Sequence, residues 1–419
     1  MKKHIDKIRN KLLIHKTLVQ NFSYLSALQV FNMLLPLITY PYLIRVIGVE
    51  TYGLIIFAQA IIGYFVIFVS FGFNISATKE VSINRENKEK LSEIVSSVLI
   101  LKGSFFLLSL LIITILLYII PQARGYKILY YLTMWMALYE FIFPIFYFQG
   151  IEKMKYITYI NLVSRLIFLA LIFILVKSKS DYLLVPLING IGAIIAGIIS
   201  LVFIRKDGIR IKEQPFNILV SYFKKSYVLA LAYLSNTFKS KINIIILKLL
   251  FSYTEVTYFD LAIKIAEIGN AFLNLISQTV FPKMSIEKNG RFLKKVIILS
   301  LVVAFTYVLF IQIFAKPIVF VLGGIDMEPT VNVLRIFVFF IPIYITGALL
   351  GRNCLIIHGF DKHVLLSMLY SSIAYVTIIG AFYLIGINIT LIGLILVYII
   401  SFAFETTYRY IICKLKKIF

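Results

Sequence analysis

Three ionisable side chains share one face of a segment that is otherwise apolar enough to lie within a bilayer: Asp260, Lys264 and Glu267. Their spacing of three and four residues puts them on the same side of a helix. The face continues through further polar or small residues, namely Asn270 or Ala271, Asn274 and Gln278. Charges at this depth usually face a bundle interior or a water-filled cavity. The segment predicts a polar path through a membrane, with Asp260 and Glu267 as candidates to take a coupling proton or cation.

The preceding apolar segment carries more buried charge. Asn236, Lys239 and Asn243 share one helical face, and Lys241 and Lys248 share another. At about 1.5 Å per residue, Lys239 lies roughly 26 Å along a helix that enters from the cytoplasm near residue 221. Two interpretations stay open and are compatible. The lysines and the acids of the next segment form a structural network of ion pairs, or they line a cavity that binds an anion.

Polar side chains also lie deep in the first half of the chain. Arg165 is about 15 Å from the nearest cytoplasmic turn, too deep to reach the headgroups. Its planar guanidinium suits a phosphate, and Glu140 at a similar depth is a candidate partner or coupling acid. Asn74 is a candidate cavity residue because it belongs to a stripe with polar or small neighbours at helical spacing, although such stripes also serve helix packing. The stripe comprises Gln59, Gly63, Ser70, Asn74 and Thr78.

Other basic residues lie near the ends of apolar runs, and we expect their long side chains to reach the headgroups by snorkelling. This set comprises Arg45, Lys102, Lys224, Lys225, Arg335, Arg352 and Arg409. The bases left at depth are Arg165, Lys239, Lys241 and Lys264, against the acids Glu140, Asp260 and Glu267. With four bases to three acids, a cavity favours an anion only if the arginines near the span ends also face inward.

The composition is that of a membrane protein. Hydrophobic residues make up 61% of 419 residues, whereas soluble chains have about half. Apolar runs of about 20 residues, each enough to cross a ~30 Å hydrocarbon core, recur along the chain. Because the bilayer offers no water to the backbone, these runs are predicted to be helices. We count twelve spans, at residues 18–45, 51–78, 95–120, 127–150, 156–176, 182–204, 221–250, 255–282, 293–316, 330–357, 363–385 and 389–412.

The formal net charge is +23, and the basic residues that produce it are distributed unevenly between the two sides of the predicted membrane topology. If the N-terminus is cytoplasmic, about 25 lysines and arginines fall in the tails and loops on that side, and about five on the other. The positive-inside rule then predicts that both termini are cytoplasmic. We therefore expect membrane lipid, and no nucleic acid, as a partner of the basic faces.

An internal repeat relates the two halves. The turn QGIEK at residues 149–153 matches HGFDK at residues 358–362, each after a span of matching rank. In both turns, glycine is expected to supply a positive φ at a helix end. A duplication of six spans predicts repeats of the same orientation, as in several transporters. The predicted fold is an all-α membrane protein with lobes at residues 1–210 and 211–419 around a central cavity.

The sequence contains few features typical of catalysis or of cofactor binding. No nucleotide-binding loop or nucleophile motif occurs. Cys354 and Cys413 form neither a disulfide framework nor a metal motif. The four histidines, His4, His15, His358 and His363, lack metal-ligand spacing. We predict that the chain is not an enzyme and has no catalytic residue, metal or cofactor, so that transport would draw on an ion gradient or on the substrate's own gradient.

Three stretches carry a family resemblance. They are LLPLITYPYL at residues 34–43 followed by RVIG at 45–48, FGFNISATK at 71–79 and FQGIEKMKYI at 148–157. They resemble the bacterial O-antigen and capsular polysaccharide flippases of the multidrug/oligosaccharidyl-lipid/polysaccharide exporter superfamily. The resemblance covers most of the chain and is weaker in the C-terminal half. No catalytic signature exists to carry over, so the site residues rest on position and chemistry.

This resemblance implies twelve helices in two lobes and a substrate of undecaprenyl-diphosphate-linked oligosaccharide, moved from the cytoplasmic to the periplasmic leaflet by alternating access. It also implies the bacterial inner membrane. Further expected partners are membrane lipid and the polymerase and assembly machinery of the polysaccharide, and we expect a functional monomer. The candidate substrate-binding residues are Arg165, Lys239, Lys241, Lys264, Asn74, Asn236 and Asn274.

Two rival functions stay open. A cation-coupled small-molecule or multidrug antiporter of the same superfamily would have acids dominating its cavity, which the charge balance weakly disfavours. A membrane polysaccharide polymerase should carry a large periplasmic loop with paired basic residues. The longest predicted outer loop, about Lys316 to Pro329, is short.

Overall fold

Every regular element in the described part of the chain is a helix. The computed structural model describes the backbone of residues 2–416 and 418. It describes the side chains of residues 20–21, 23–231, 234, 237–239, 241–281, 283–416 and 418. The absence of strands from this part confirms the predicted all-α class.

Ten helices build the first half. They are α1 (Lys2–Ile47), α2 (Val49–Ser70), α3 (Phe73–Ile83), α4 (Lys88–Ile119), α5 (Pro121–Arg124), α6 (Lys127–Thr133), α7 (Trp135–Ile142), α8 (Ile145–Gly150), α9 (Met154–Leu175) and α10 (Leu184–Lys206). A 3₁₀ turn, Lys179–Leu183, precedes α10. α1 is continuous through Pro36 and Pro41.

The second half has longer helices. They are α11 (Phe216–Leu250), α12 (Tyr253–Glu287), α13 (Gly290–Gly323), α14 (Thr330–Phe337), α15 (Phe340–Leu350), α16 (Asp361–Ile385) and α17 (Leu391–Leu415). A 3₁₀ turn, Ile325–Met327, precedes α14, and a π-helical turn, Gly351–Ile356, follows α15.

Within the described residues, ten helical segments are long and apolar enough to cross a membrane. They include the broken spans Val49–Ile83, Lys127–Gly150 and Thr330–Ile356. The charged helices α11 and α12 are each 35 residues long and are not among the ten. The count of twelve spans stays a prediction.

The chain forms two compact units. Unit 1 comprises Met1–Tyr42 and Ala58–Leu234, and unit 2 comprises Leu43–Phe57 and Ser235–Phe419. The predicted lobes, residues 1–210 and 211–419, stay a prediction.

The end of α1 and the start of α2 belong to unit 2 because they pack tightly on α12. The Thr257 hydroxyl donates a 2.7 Å hydrogen bond to the Val49 carbonyl oxygen. A Cβ at Gly53 would lie 1.8 Å from the Tyr253 carbonyl oxygen, so only glycine permits this approach of the two backbones. The contact fixes Tyr52 beside the charged face of α12, at 5.9 Å from its ring centre to the Lys264 Nζ atom.

The break between α2 and α3 brings Asn74 to the start of a new helix. Phe71 and Gly72 adopt left-handed backbone conformations, with φ of 43° and 73°. A Cβ at Gly72 would lie 2.8 Å from the Cβ of Leu229 in α11. The glycine therefore serves both the turn and the close packing of α11 within unit 1.

The two repeated turns use glycine differently. Gly359 has a φ of 77°, as predicted for a helix end. In the other turn the positive φ, 57°, belongs to Glu152, so the prediction for Gly150 was wrong. A Cβ at Gly150 would lie 2.4 Å from Val81 Cγ1, and close packing of α8 on α3 accounts for the glycine there.

Candidate functional site

The charged face of α12 contains a local ion pair. Lys264 donates to the Asp260 carboxylate one helical turn earlier. Lys241 of α11 is half-buried and lies within electrostatic range of Asp260, Glu267 and Lys264. Glu267 is exposed on the surface of the protein chain and, in the described part, makes no ion pair. The face thus holds two acids and two bases, of which one acid and one base pair directly.

A second set of charges lies fully inside unit 2. Lys239 of α11 donates to Glu405 of α17 at 3.1 Å and to the Ser371 hydroxyl of α16 at 3.0 Å. Arg409, one turn after Glu405, approaches its other carboxylate oxygen to 2.5 Å. The three charged residues are 4–6% exposed. We call Lys239, Glu405 and Arg409 the C cluster.

The backbone of α15 is shaped around the Arg409 guanidinium. Its Nη1 atom donates to the Gly347 carbonyl oxygen and its Nε atom donates to the Ser367 hydroxyl, both at 2.9 Å. A Cβ at Gly351, where the π-helical turn begins, would lie 3.1 Å from Nη1. A larger residue at this position would have to displace the arginine.

A cavity of about 270 Å³ adjoins the C cluster. Its lining includes Lys239, Asn274, Tyr344, Arg352, Glu405 and Arg409. Of the predicted substrate-binding residues, Lys239 and Asn274 therefore share one cavity within unit 2. The side chain of Asn236, also predicted, lies outside the described residues.

Unit 1 contains a separate buried ion pair. Lys102 of α4 is 0% exposed and donates to the Glu140 carboxylate of α7 at 2.7 Å. Lys102 also donates to the Asn74 side-chain oxygen at 3.2 Å and to the Glu140 carbonyl oxygen at 3.0 Å. Asn74 in turn donates to the Glu140 carboxylate at 2.9 Å. We call Lys102, Glu140 and Asn74 the N cluster.

The two clusters correct the snorkelling prediction for Lys102 and Arg409. Lys102 lies near the middle of α4 and Arg409 near the end of α17, and both face the protein interior, where a carboxylate and oxygen acceptors compensate their charge. Glu405 was not identified as a candidate from the sequence. Its spacing of four residues from Arg409 within an apolar run was a usable signal, because an acid and a base at i and i+4 form a pair on a helix.

The sequence suggested that Arg165 pairs with Glu140. In the structure Lys102 pairs with that carboxylate instead. Within the described residues, the Arg165 guanidinium makes no ion pair. It lines a small cavity of about 20 Å³ with Tyr139 and Asn161, and the Tyr139 hydroxyl donates to the Asn161 side-chain oxygen at 2.7 Å. A space of this size holds about one water molecule.

The described bases at depth therefore outnumber the described acids, as the sequence suggested. The structure adds residues to both sets. Lys102 and Arg409 join the bases, and Glu405 joins the acids. Such an arrangement can neutralise an anion where a cavity meets the surplus bases.

The sequence matches known proteins over about two thirds of its length. Residues 18–288 match the family described as "Polysaccharide biosynthesis protein". A protein of Escherichia coli (strain K12) named "Putative O-antigen transporter" is 31% identical over 271 residues, 64% of this chain and 65% of that protein. A protein of Shigella dysenteriae with the same name is 30% identical over 267 residues, 61% of this chain and 64% of that protein. The chain thus spans just under two thirds of each relative.

Solved transporter structures share the fold over nearly the whole chain. "Lipid II flippase MurJ, inward closed conformation" superposes with a TM-score of 0.71 at 16% identity, covering 93% of this chain and 87% of the other. An inward-facing multidrug resistance MATE family transporter of the MOP superfamily gives 0.70 at 14% identity, covering 91% and 94%. These likenesses confirm the predicted fold, and with the ten apolar segments they identify a multi-pass membrane protein.

Proposed function

The chain belongs to the polysaccharide biosynthesis protein family, and on this premise we propose that it is a flippase for lipid-linked oligosaccharides. It moves undecaprenyl-diphosphate-linked repeat units from the cytoplasmic to the periplasmic leaflet by alternating access. The observation that most supports this function is the 31% identity to a relative named as an O-antigen transporter. The proposal makes the chain a transporter and not an enzyme.

The buried charges suit this substrate. A diphosphate is negatively charged and needs cationic partners in a low-dielectric environment. The proposed bases that contact the diphosphate or balance the acids are Arg165, Lys239, Lys241 and Lys264, and Asp260 or Glu267 takes a coupling proton or cation. The lipid tail stays in the bilayer, so only the head group needs a polar path.

The proposed setting is the bacterial inner membrane with both termini in the cytoplasm, which follows the placement of the basic loops. In this orientation the proposed transport begins on the side that carries most of the basic loop residues. The proposed functional form is a monomer that contacts the polymerase and assembly machinery.

Small-molecule antiport is the second candidate, because the fold is shared with a multidrug transporter. The surplus of buried bases makes it the weaker one, since a cationic substrate would need surplus acids. Polymerisation is weaker still. α13 continues to Gly323 and α14 begins at Thr330, which leaves an even shorter outer loop than the sequence suggested.

Complementation of a flippase-null strain tests the function. The wild-type chain should restore surface glycan, whereas Lys264→Gln and Arg165→Gln should abolish it while the protein remains in the membrane. The matched control is Lys316→Gln, which neutralises an exposed lysine paired with Glu328. Normal glycan display by both variants would remove these residues from the mechanism. A change in drug susceptibility without any effect on glycan would favour the antiporter.

A further inference from the structure

The cavity of unit 2 has a surplus of positive charge. Lys239, Arg409 and Arg352 line it, and Glu405 is the single acid among its described lining residues. Among the described residues, Glu405 is the one acid that pairs with Lys239 and with Arg409. The three bases exceed the acid by two charges. Lys239 and Arg409 are buried and Arg352 is exposed, so an anion in this cavity would offset the one buried base that Glu405 leaves uncompensated.

Neighbouring residues hold the Arg409 guanidinium in place. Its Nη2 group is buried and lies close to Glu405. The Nε and Nη1 groups are held by Ser367 and Gly347. The guanidinium is thus fixed in orientation beside the cavity, with its Nη2 atom already paired to Glu405. A phosphoryl oxygen is a strong acceptor for a guanidinium.

The size and position of the cavity suit a phosphoryl group. Its volume of about 270 Å³ is near the lower end, ~300 Å³, of typical ligand pockets. A diphosphate esterified at both ends carries one negative charge on each phosphoryl group, which balances the surplus of two. Arg352 lies six residues before His358 of the predicted cytoplasmic turn, or about 9 Å along a helix. A ligand from the cytoplasmic leaflet would therefore meet Arg352 first.

We infer that this cavity binds a phosphoryl anion through Lys239, Arg352 and Arg409, and that the anion is the diphosphate of the transported lipid. The second part rests on the proposed function. Glu405 holds the two buried bases apart and in place. On binding, the anion meets the Arg352 guanidinium and the cavity-facing sides of Lys239 and Arg409, and Glu405 keeps its existing contacts.

Binding of inorganic pyrophosphate to the purified full-length chain tests the site. Isothermal titration in detergent should show saturable binding by the wild type. Arg352→Gln should weaken it roughly tenfold, as expected for the loss of a hydrogen bond to a charged group. The matched control Lys316→Gln should leave the affinity unchanged. Absence of saturable binding by the wild type, or equal affinity of Arg352→Gln, would overturn the inference.

A second variant gives an effect of opposite sign. Glu405→Gln removes the carboxylate that Lys239 and Arg409 share, so the variant without ligand should be less stable than the wild type. It increases the positive surplus and should bind pyrophosphate roughly tenfold more tightly. Its thermal stability should also rise more with pyrophosphate than that of the wild type. Unchanged or weaker binding by Glu405→Gln contradicts a site built on charge surplus.

Competition identifies the source of the phosphoryl group. Farnesyl diphosphate should displace pyrophosphate, whereas phosphatidylglycerol micelles at the same concentration should not. Equal displacement by phosphatidylglycerol would assign the cavity to a phospholipid headgroup and overturn the substrate assignment.

Different results would contradict the inference about the cavity and the proposed function. Normal glycan export by Arg352→Gln would contradict this inference alone, whereas failure of the wild type to restore export contradicts the proposed function while pyrophosphate binding remains measurable.

Discussion

The N cluster and the C cluster each contain a buried lysine paired with a glutamate, but they differ in charge balance. In the N cluster, Lys102 meets one carboxylate and two further oxygen acceptors, and the local charge is neutral. In the C cluster, two bases share Glu405, and a cavity adjoins them. A buried ion pair therefore does not by itself indicate function. A surplus charge beside an open space distinguishes the cluster that can bind a ligand from the one that holds helices together.

The largest expected loss of stability follows from breaking the N cluster. Glu140→Gln leaves the fully buried Lys102 ammonium without its carboxylate, and should lower the free energy of unfolding by about 3–5 kcal/mol. The double variant Lys102→Met/Glu140→Gln removes both charges and should recover most of the loss. Denaturation by SDS titration in mixed micelles measures both. If the folded double variant failed to display glycan, the N cluster would be functional and the contrast would fail.

Lys239→Met should have the reverse profile. Glu405 keeps its contact with Arg409, so the loss of stability should be smaller, about 1–3 kcal/mol. Glycan export should nevertheless fall at least roughly tenfold, because one of the proposed anion contacts is gone. SDS titration and glycan display on the same preparations separate the two effects. Full export by a folded Lys239→Met protein would make the C cluster structural as well.

The glycine beside Arg409 offers a test of positioning. Gly351→Ala would put a methyl group 3.1 Å from Arg409 Nη1, and the displaced guanidinium should cost about 1–3 kcal/mol. The matched control is Gly380→Ala in α16, where a Cβ meets no atom within 4 Å. That change should be neutral or stabilise by up to about 1 kcal/mol. Equal stability of the two variants would show that the π-helical turn does not position the arginine.

The smallest expected change in stability among these variants comes from an exposed ion pair. Lys90 and Glu93 pair at 2.7 Å on the surface of α4, and both remain accessible. Lys90→Gln should change the free energy of unfolding by less than about 1 kcal/mol and leave export intact. If Lys90→Gln lowered the free energy of unfolding as much as Glu140→Gln does, burial would not explain the contribution of the clusters to stability.

The sequence predicted the features that depend on local pattern. Apolar runs specified a helical membrane protein, and the spacing of Asp260 and Lys264 placed them on one helical face, where they form an ion pair. Pairs between distant segments were not predictable in the same way. Lys102 and Glu140 are 38 residues apart and Lys239 and Glu405 are 166 apart, so only tertiary packing brings them together.

The prediction of snorkelling failed for a related reason. Distance from the end of a span states how far a side chain must reach, but not which side of the helix it occupies. Arg409 and Lys102 face inward because acids and hydroxyl groups on neighbouring helices compensate them. Likewise, hydropathy gave no sign that Leu43–Phe57 belongs to unit 2, since that assignment depends on the close approach of Gly53 to Tyr253.

Reconstitution tests the central proposal most directly. The purified chain is placed in vesicles loaded with an undecaprenyl-diphosphate-linked oligosaccharide, and an external glycosidase reports how much of the lipid reaches the outer leaflet. We expect the cleaved fraction to rise well above that of protein-free vesicles, and Lys264→Gln and Arg165→Gln to return it to that level. A cleaved fraction equal to that of protein-free vesicles, with folded wild-type protein, would contradict it.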